Sequence, residues 1–230
     1  MNFFSNSQIK IYKISTNRCR PNVLKIYLYQ KKMELVFASN NPNKVKEIQL
    51  LLPSTIKILS LADIGCSEDI PETAATIEGN AIQKAQYITE KFGYPCFADD
   101  TGLEVEALQN EPGVYSARYA GPQRNAENNM QKLLKNLENQ TNRNAQFKTV
   151  ICLHLAGEEH LFEGIIKGEI TTEKRGQEGF GYDPIFQPFG FEKTFAQMPL
   201  ALKAKMSHRG LAVAKLIEFL TKTEGFDTLN

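Results

Sequence analysis

Two adjacent acids, Asp99 and Asp100, stand directly after a short apolar run at residues 94–98. The run predicts a buried strand, so both carboxylates are expected at its C-terminal end, which is where open α/β sheets bind ligands. Neighbouring carboxylates repel each other, and a bound cation relieves that repulsion. Their hard oxygen atoms suit Mg²⁺, and Glu72 is a candidate further ligand from another loop. An acidic turn exposed to water is the alternative interpretation.

A polar turn at residues 39–44 lies between an apolar run at 35–38 and a pattern with helical spacing. The first turn of a helix offers free backbone N–H groups and the positive end of the helix dipole, which favour a bound anion. Because the turn lacks the glycines of a P-loop, a plain capping turn is the simpler interpretation of this segment alone. The candidate phosphate-binding residues are Ser39, Asn40, Asn41, Pro42, Asn43 and Lys44.

Two later segments carry side chains that could bind a nucleoside. Residues 176–184 combine three glycines, two aromatic residues and an aspartate. Glycines let a backbone approach a ligand closely, and an exposed aromatic ring can stack on a base. Residues 207–210 place His208 beside Arg209, a pair that can hydrogen-bond an oxygenated ligand. A glycine-rich hairpin and a capped helix start are the respective alternatives. With the acidic pair and the polar turn, these features indicate a nucleotide site.

The elements that must position these residues alternate between strand and helix in the first half of the chain. The pattern is strand, helix, strand, helix, strand, with segments at 35–38, 44–52, 56–61, 76–92 and 94–98. The second half predicts an antiparallel meander and two helices, with extended segments at 103–108, 145–156, 159–167 and 169–174 and helices at 126–137 and 209–221. These patterns predict one compact α/β protein with two lobes.

Charge is distributed unevenly along the chain. The whole sequence has 27 basic and 26 acidic residues, a net charge of +1. Residues 1–32 hold seven basic residues and no acid, so residues 33–230 carry 20 basic against 26 acidic residues, a net charge of −6. We interpret residues 1–32 as a basic extension that is non-functional or translated from an upstream start, a weak transit peptide being the alternative. Residues 33–230 are then a single two-lobed domain.

Several classes of partner are excluded by composition. No run approaches the roughly 20 apolar residues that span a bilayer, so no membrane association is expected. The basic residues of 33–230 do not cluster with aromatic residues, so nucleic-acid binding is not expected. The four cysteines form no C-x-x-C pair, and His154 in an apolar strand is expected to be structural. Scattered thiols suit a reducing compartment, and we expect a cytoplasmic protein.

Six motifs occur in an order that resembles the inosine triphosphate pyrophosphatase family. They lie at residues 37–47, 72–85, 98–105, 112–119, 179–186 and 207–210. The resemblance covers about residues 33–221, and six motifs in order are far more specific than any one of them. It implies a long mixed central sheet with two α/β lobes and an active site in the cleft between them. It also implies a homodimer.

The resemblance implies an activity as well. Family members hydrolyse non-standard purine nucleoside triphosphates, dITP, ITP, XTP and dXTP, to the monophosphate and pyrophosphate with Mg²⁺. Asp100 would be the catalytic residue and, with Asp99 and Glu72, a metal ligand. The other residues implied to bind substrate are the 39–44 turn, Thr101, Phe180, Gly181, Tyr182, Asp183, Lys203, His208 and Arg209, with the Phe180 ring stacked on the base.

Two departures and two alternatives accompany this interpretation. Leu202 stands where family members often carry a glutamate, and Pro71 stands where some carry an acid. A related pyrophosphatase that prefers modified pyrimidine nucleotides is one alternative, against which the His208-Arg209 pair argues. A nucleotide-binding module without turnover is the other, and the intact Lys44, Asp99 and Asp100 argue against it.

Overall fold

A computed structural model describes residues 32–223. Apart from Lys32, the proposed basic extension lies outside this range. The seven strands are β1 Met33–Phe37, β2 Ile56–Leu59, β3 Cys96–Val105, β4 Pro112–Gly113, β5 Asn144–Leu155, β6 Glu158–Ile170 and β7 Phe186–Pro188. The α-helices are α1 Pro42–Gln49, α2 Ile77–Phe92, α3 Ala126–Asn136, α4 Leu200–Met206 and α5 His208–Thr223.

The strands form one mixed sheet in the order β2-β1-β3-β5-β6-β7, with β4 paired to β3. β1 runs parallel to both β2 and β3, as expected for strands that alternate with helices. β3, β5, β6 and β7 pair antiparallel. The predicted fold class, α/β with a long mixed central sheet, is confirmed.

Three apolar cores surround the sheet. α2 packs Ala81, Ala85 and Ile88 against one face, while α1 and α5 cover the other face around Phe37 and Phe97. The third core lies beyond these two, where the far ends of β3 and β5 meet α3 and the β7 region. β3 and β5 therefore run from one packed region into another, and the surface between the regions is concave.

β3 differs most from the sequence prediction. Residues 94–98 and 103–108 were expected to be separate extended segments with an acidic turn between them, but a single strand spans Cys96–Val105. The reason is its partner: β5 pairs with all ten residues, from Cys96↔His154 to Val105↔Ala145. The segments at 159–167 and 169–174 likewise form one strand that ends at Ile170. A continuous neighbouring strand keeps polar residues extended although their composition favours a turn.

Neighbouring residues in sequence explain where α1 and α2 begin, and a glycine explains how closely α5 approaches β6. α1 begins at Pro42, two residues before the predicted start, because the Asn41 side chain caps it and proline suits the first helical position. Thr76 caps α2 and Gly93 ends it, as predicted. A Cβ at Gly164 would lie 2.0 Å from the His208 carbonyl oxygen, so glycine lets α5 start against β6. Within residues 32–223, no helix is long and apolar enough to cross a membrane.

Candidate active site

The site opens where β1 ends and β3 continues. The Phe97 carbonyl still accepts from the backbone of Ala38, at 2.9 Å, but the next carbonyl on that side, Asp99, has no strand partner there. The ammonium groups of Lys84 and Lys44 donate to it instead, at 2.8 and 3.4 Å. A cleft of about 720 Å³ therefore opens beyond the end of β1. The ammonium groups of Lys44 and Lys84 lie in its lining, on the Asp99 carbonyl.

Asp99 and Asp100 point to opposite faces of β3, because successive side chains of a strand alternate. Asp99 is fully buried between two cations, with Lys44 Nζ 3.0 Å from Oδ1 and Arg209 Nε 3.0 Å from Oδ2. Burial alone would raise the pKa of Asp99, but Lys44, Arg209 and Lys84 outweigh it and hold that pKa well below its usual range. Asp99 is therefore a permanently charged counter-ion that orients both cations.

Asp100 faces α2 and the open cleft. Its Oδ2 accepts a hydrogen bond of 3.2 Å from Asn80, and Lys84 Nζ lies 3.7 Å from its Oδ1. Lys84 also binds Glu72 Oε1, at 2.6 Å, so one ammonium joins the two carboxylates. Burial and the nearby Glu72 raise the pKa of Asp100, although Lys84 and Lys44 oppose them. A partly exposed carboxylate with a raised pKa is suited to accepting a proton.

The polar turn at 39–44 forms one wall of the cleft. Asn41 Oδ1 accepts from the backbone N–H groups of Asn43 and Lys44, at 3.0 and 3.3 Å. The Ser39 hydroxyl accepts from the backbone of Asn41 at 3.3 Å. These bonds fix the start of α1 and use the N–H groups of Asn43 and Lys44, so what favours an anion here is the positive end of the helix dipole together with the Lys44 ammonium, which Asp99 holds.

A chain of buried ion pairs links this wall to Asp183, beside the loop that carries Phe180. Glu47 on α1 binds Lys203 Nζ at 2.8 Å through Oε1, and its Oε2 accepts from Arg209. Lys203 also pairs with Asp183. All four side chains are at most 3% exposed. Each charge is paired, as buried charges must be, and the network fixes Lys203 and Arg209 in place.

The loop around Phe180 is held by Asp183, whose Oδ2 accepts from the Phe180 backbone N–H at 2.7 Å. Gly179, with φ of 77°, is required there because a Cβ would lie 2.0 Å from that oxygen. The Phe180 ring stands 4.8 Å from Lys203 Nζ. Tyr182 is buried, and its hydroxyl donates to the Ser116 carbonyl at 2.9 Å. Asp183 and Tyr182 thus position the loop that presents Phe180.

His208 is buried and lies stacked on Phe147, with ring centroids 4.5 Å apart. Burial, together with Arg209 and Lys203, holds the pKa of His208 well below its usual range, so the ring is neutral. Among the residues described, its buried Nδ1 has no hydrogen-bond partner. Thr101 lies nearby and accepts from Arg209 at 3.1 Å. A neutral ring with an unused polar atom is suited to recognising a polar ligand.

The cleft brings together nearly all the residues that the sequence analysis assigned to the site. Asp99 is the exception, because both its oxygens are engaged by cations beneath the cleft surface, and this geometry gives it a positioning role in place of metal ligation. The assigned residues that line the cleft are Ser39, Asn40, Asn41, Pro42, Asn43, Lys44, Glu72, Asp100, Thr101, Phe180, Gly181, Tyr182, Asp183, Lys203, His208 and Arg209.

The sequence analysis did not assign Asn80 and Lys84, which line the cleft, or Glu47, which pairs with two residues that do. Asn80 and Lys84 are four residues apart on α2 and are buried on its apolar face. Two polar residues at helical spacing within an apolar stripe were the available signal. The sequence signal for Glu47 was weaker: it is an acidic residue next to the buried Ile48. Its partners are 156 and 162 residues away in sequence, so only the fold brings them to it.

Comparison with known proteins identifies relatives over most of the chain. A Flavobacterium johnsoniae protein named dITP/XTP pyrophosphatase is 66% identical over 192 residues, which cover 84% of this chain and 100% of that protein. A Thermoanaerobacter pseudethanolicus protein of the same name is 45% identical over 193 residues, 83% of this chain and 98% of that protein.

Solved structures give the same result. The Staphylococcus aureus Ham1 protein has a TM-score of 0.76 at 41% identity, and the match covers 83% of this chain and 99% of that one. A HAM1 protein from Coxiella burnetii has a TM-score of 0.77 at 39% identity, with the same coverage. These matches confirm the resemblance drawn from the six motifs. With the Ham1 family model matching residues 35–219 and a relative 66% identical along its whole length, the chain belongs to the Ham1 family.

Proposed function

We propose that the cleft hydrolyses non-standard purine nucleoside triphosphates, dITP, ITP, XTP and dXTP, to the nucleoside monophosphate and pyrophosphate. The observation that carries the proposal is the position of Asp100, a carboxylate with a raised pKa, between an anion-binding turn and an aromatic loop in one cleft. The two relatives named dITP/XTP pyrophosphatase support the substrate class.

The phosphate end of the substrate meets the N-terminus of α1, with Lys44 and Lys84 beside it. A triphosphate carries about four negative charges, more than two lysines and a helix dipole can offset. Glu72 and Asp100 face the same part of the cleft, and Lys84 contacts only one oxygen of each, so the second oxygens remain as hard ligands that fit Mg²⁺. When bound there, Mg²⁺ would supply the remaining positive charge and orient the phosphates.

Asp100 is the group that activates water. Asn80 holds Oδ2 of the carboxylate, which directs the side chain toward the cleft. A water held by Asp100 attacks the α-phosphorus in line; the new O–P bond forms as the bond to the bridging oxygen breaks, and Asp100 takes the water proton. Pyrophosphate leaves as an anion beside the Lys44 and Lys84 ammonium groups, which stabilise its charge.

The base is selected by hydrogen-bond donors at the other end of the cleft. Arg209 uses three N–H groups on Asp99, Glu47 and Thr101, which leaves two of its five for a ligand. These donors, or an N–H of His208, match the O6 acceptor of hypoxanthine or xanthine. Adenine presents an amine there, which would leave buried donors unpaired. Phe180 supplies the stacking surface.

A substrate panel tests this proposal. With dITP, XTP, dGTP, dATP and dUTP, kcat/KM for dITP and XTP should exceed that for dATP by about 10²-fold or more, because leaving a buried donor unpaired costs about 1–3 kcal/mol. His208→Phe keeps the stacking on Phe147 but removes the polar ring atoms, so the ratio should fall while dATP turnover changes little, and the preference that remains measures the contribution of Arg209. Preference for dATP would contradict the proposal, and preference for dUTP would favour the pyrimidine alternative.

We also propose the assembly, compartment and domain limits that the sequence indicated. A homodimer is supported by the family resemblance alone. A reducing cytoplasm is supported by the free and buried state of Cys66, Cys96 and Cys152. A functional domain that starts near residue 33 is supported by the family match to residues 35–219. Neither a nucleic acid nor a membrane is part of the proposal.

A further inference from the structure

A second cluster of potential ligands lies away from the cleft, at the end of the β5–β6 hairpin. Cys152 and His154 are two residues apart on β5, and Glu159 on β6 is directly paired with His154. Alternate residues of a strand share a face, and so do directly paired residues of neighbouring strands. The three side chains therefore converge on the sheet face that α2 covers, and none of them lines the cleft.

The three side chains are close enough to hold one ion. The Cys152 sulfur, a His154 ring nitrogen and a Glu159 carboxylate oxygen all lie within 4.8 Å of one another. With metal–ligand bonds of about 2.0–2.3 Å, ligand atoms around a tetrahedral zinc are about 3.3–3.8 Å apart. His154 and Glu159 are 19% and 39% exposed, so their side chains have room to rotate to that spacing.

The chemistry of the cluster selects the ion. A thiolate and an imidazole are good ligands for zinc and similar transition metals but poor ligands for Mg²⁺, which prefers oxygen atoms. Within residues 32–223, the only ion-pair partner of Glu159 is His154, 3.2 Å away. No lysine or arginine of this part of the chain therefore stands where the metal ion would bind. Cys152 is fully buried, whereas the other two side chains reach solvent, which gives an ion a route from the surface.

We propose that Cys152, His154 and Glu159 bind one zinc ion, with water as the fourth ligand. The ion links β5 to β6 beside the hairpin turn and is separate from the catalytic cleft. Because it binds only the folded chain, zinc should stabilise the native state by an amount that grows with the logarithm of its free concentration once that concentration exceeds Kd. This inference does not depend on the proposed nucleotide activity.

Cobalt titration of the purified full-length protein tests the proposal. Co²⁺ takes zinc sites, and a cobalt–thiolate bond gives an intense near-ultraviolet charge-transfer band that carboxylate sites such as Glu72 with Asp100 cannot produce. We expect the intensity of this band to saturate at one Co²⁺ per chain, and we expect added Zn²⁺ to abolish the band by displacing Co²⁺. A protein without the band, in which His154 and Glu159 form only an ion pair, overturns the proposal.

Variants locate the site. Cys152→Ser should abolish the band, while Cys66→Ser, which changes another buried cysteine of the same core, and Cys19→Ser should retain it. His154→Gln changes a partly exposed residue, so the protein should still fold, and its Co²⁺ affinity should fall at least tenfold. Zn²⁺ should raise the unfolding temperature of the unmodified protein but not of His154→Gln. A band that survives Cys152→Ser, or unchanged affinity in His154→Gln, overturns the proposal.

Discussion

Asp100→Asn should lower kcat for dITP by about 10²–10⁴-fold, the range usually lost with a general base. Asparagine keeps the size of the side chain and the hydrogen bond to Asn80 but cannot take the water proton. The effect should fall on kcat more than on KM, because Lys44, Arg209 and Phe180 still hold the substrate. Steady-state kinetics of pyrophosphate release measure both constants.

The same substitution should leave stability intact, which separates a catalytic role from a structural one. The raised pKa of Asp100 means that the folded state disfavours its charged form, so a neutral amide should cost little. The unfolding midpoint of Asp100→Asn should therefore match or exceed that of the unmodified protein. Asp63→Asn, at an exposed aspartate outside the cleft, is the matched control and should retain full turnover. Turnover retained in Asp100→Asn would refute the role given to this carboxylate.

Glu47→Gln should lower the free energy of unfolding by about 3 kcal/mol, the lower end of the range for removing one partner of a buried ion pair. Glu47 is the shared partner of Lys203 and Arg209, and a neutral amide would leave both cations undercompensated in a buried setting. Urea denaturation followed by circular dichroism measures the change, provided that the m value stays constant.

A surface pair provides the control for this substitution. Glu34 binds Lys57 Nζ at 2.8 Å, but both side chains are more than half exposed, so Glu34→Gln should cost less than about 1 kcal/mol. The two substitutions make the same chemical change and differ only in burial and in the number of cations left behind. Equal costs for both would show that the buried network does not stabilise the fold as argued.

Local chemistry made much of the fold predictable. Thr76 and Gly93 mark the limits of α2 because capping depends on residues next to the helix ends. The path of β3 was not predictable in the same way, because Asp99 and Asp100 remain extended only through pairing with β5, some fifty residues later in the chain. Local composition favours a turn there, and the long-range strand pairing overrides it.

The residues of the candidate site also fall into two groups, those that local sequence motifs identify and those that only long-range contacts bring to the site. Residues in motifs, such as Lys44, Asp100 and Arg209, were found because their neighbours in sequence identify them. Glu47 was missed because its role comes from partners in α4 and α5. Asp99 was predicted to be a metal ligand beside Asp100, but it lies beneath the cleft, because it points to the opposite face of a strand that the sequence analysis had interpreted as a turn.

Hydrolysis of dITP in water enriched in heavy oxygen tests the central claim most directly. If water held by Asp100 attacks the α-phosphorus, mass spectrometry should find one heavy oxygen in dIMP and none in the released pyrophosphate. A label in pyrophosphate, or dIDP and phosphate as the products, would place the attack at another phosphorus and contradict the mechanism.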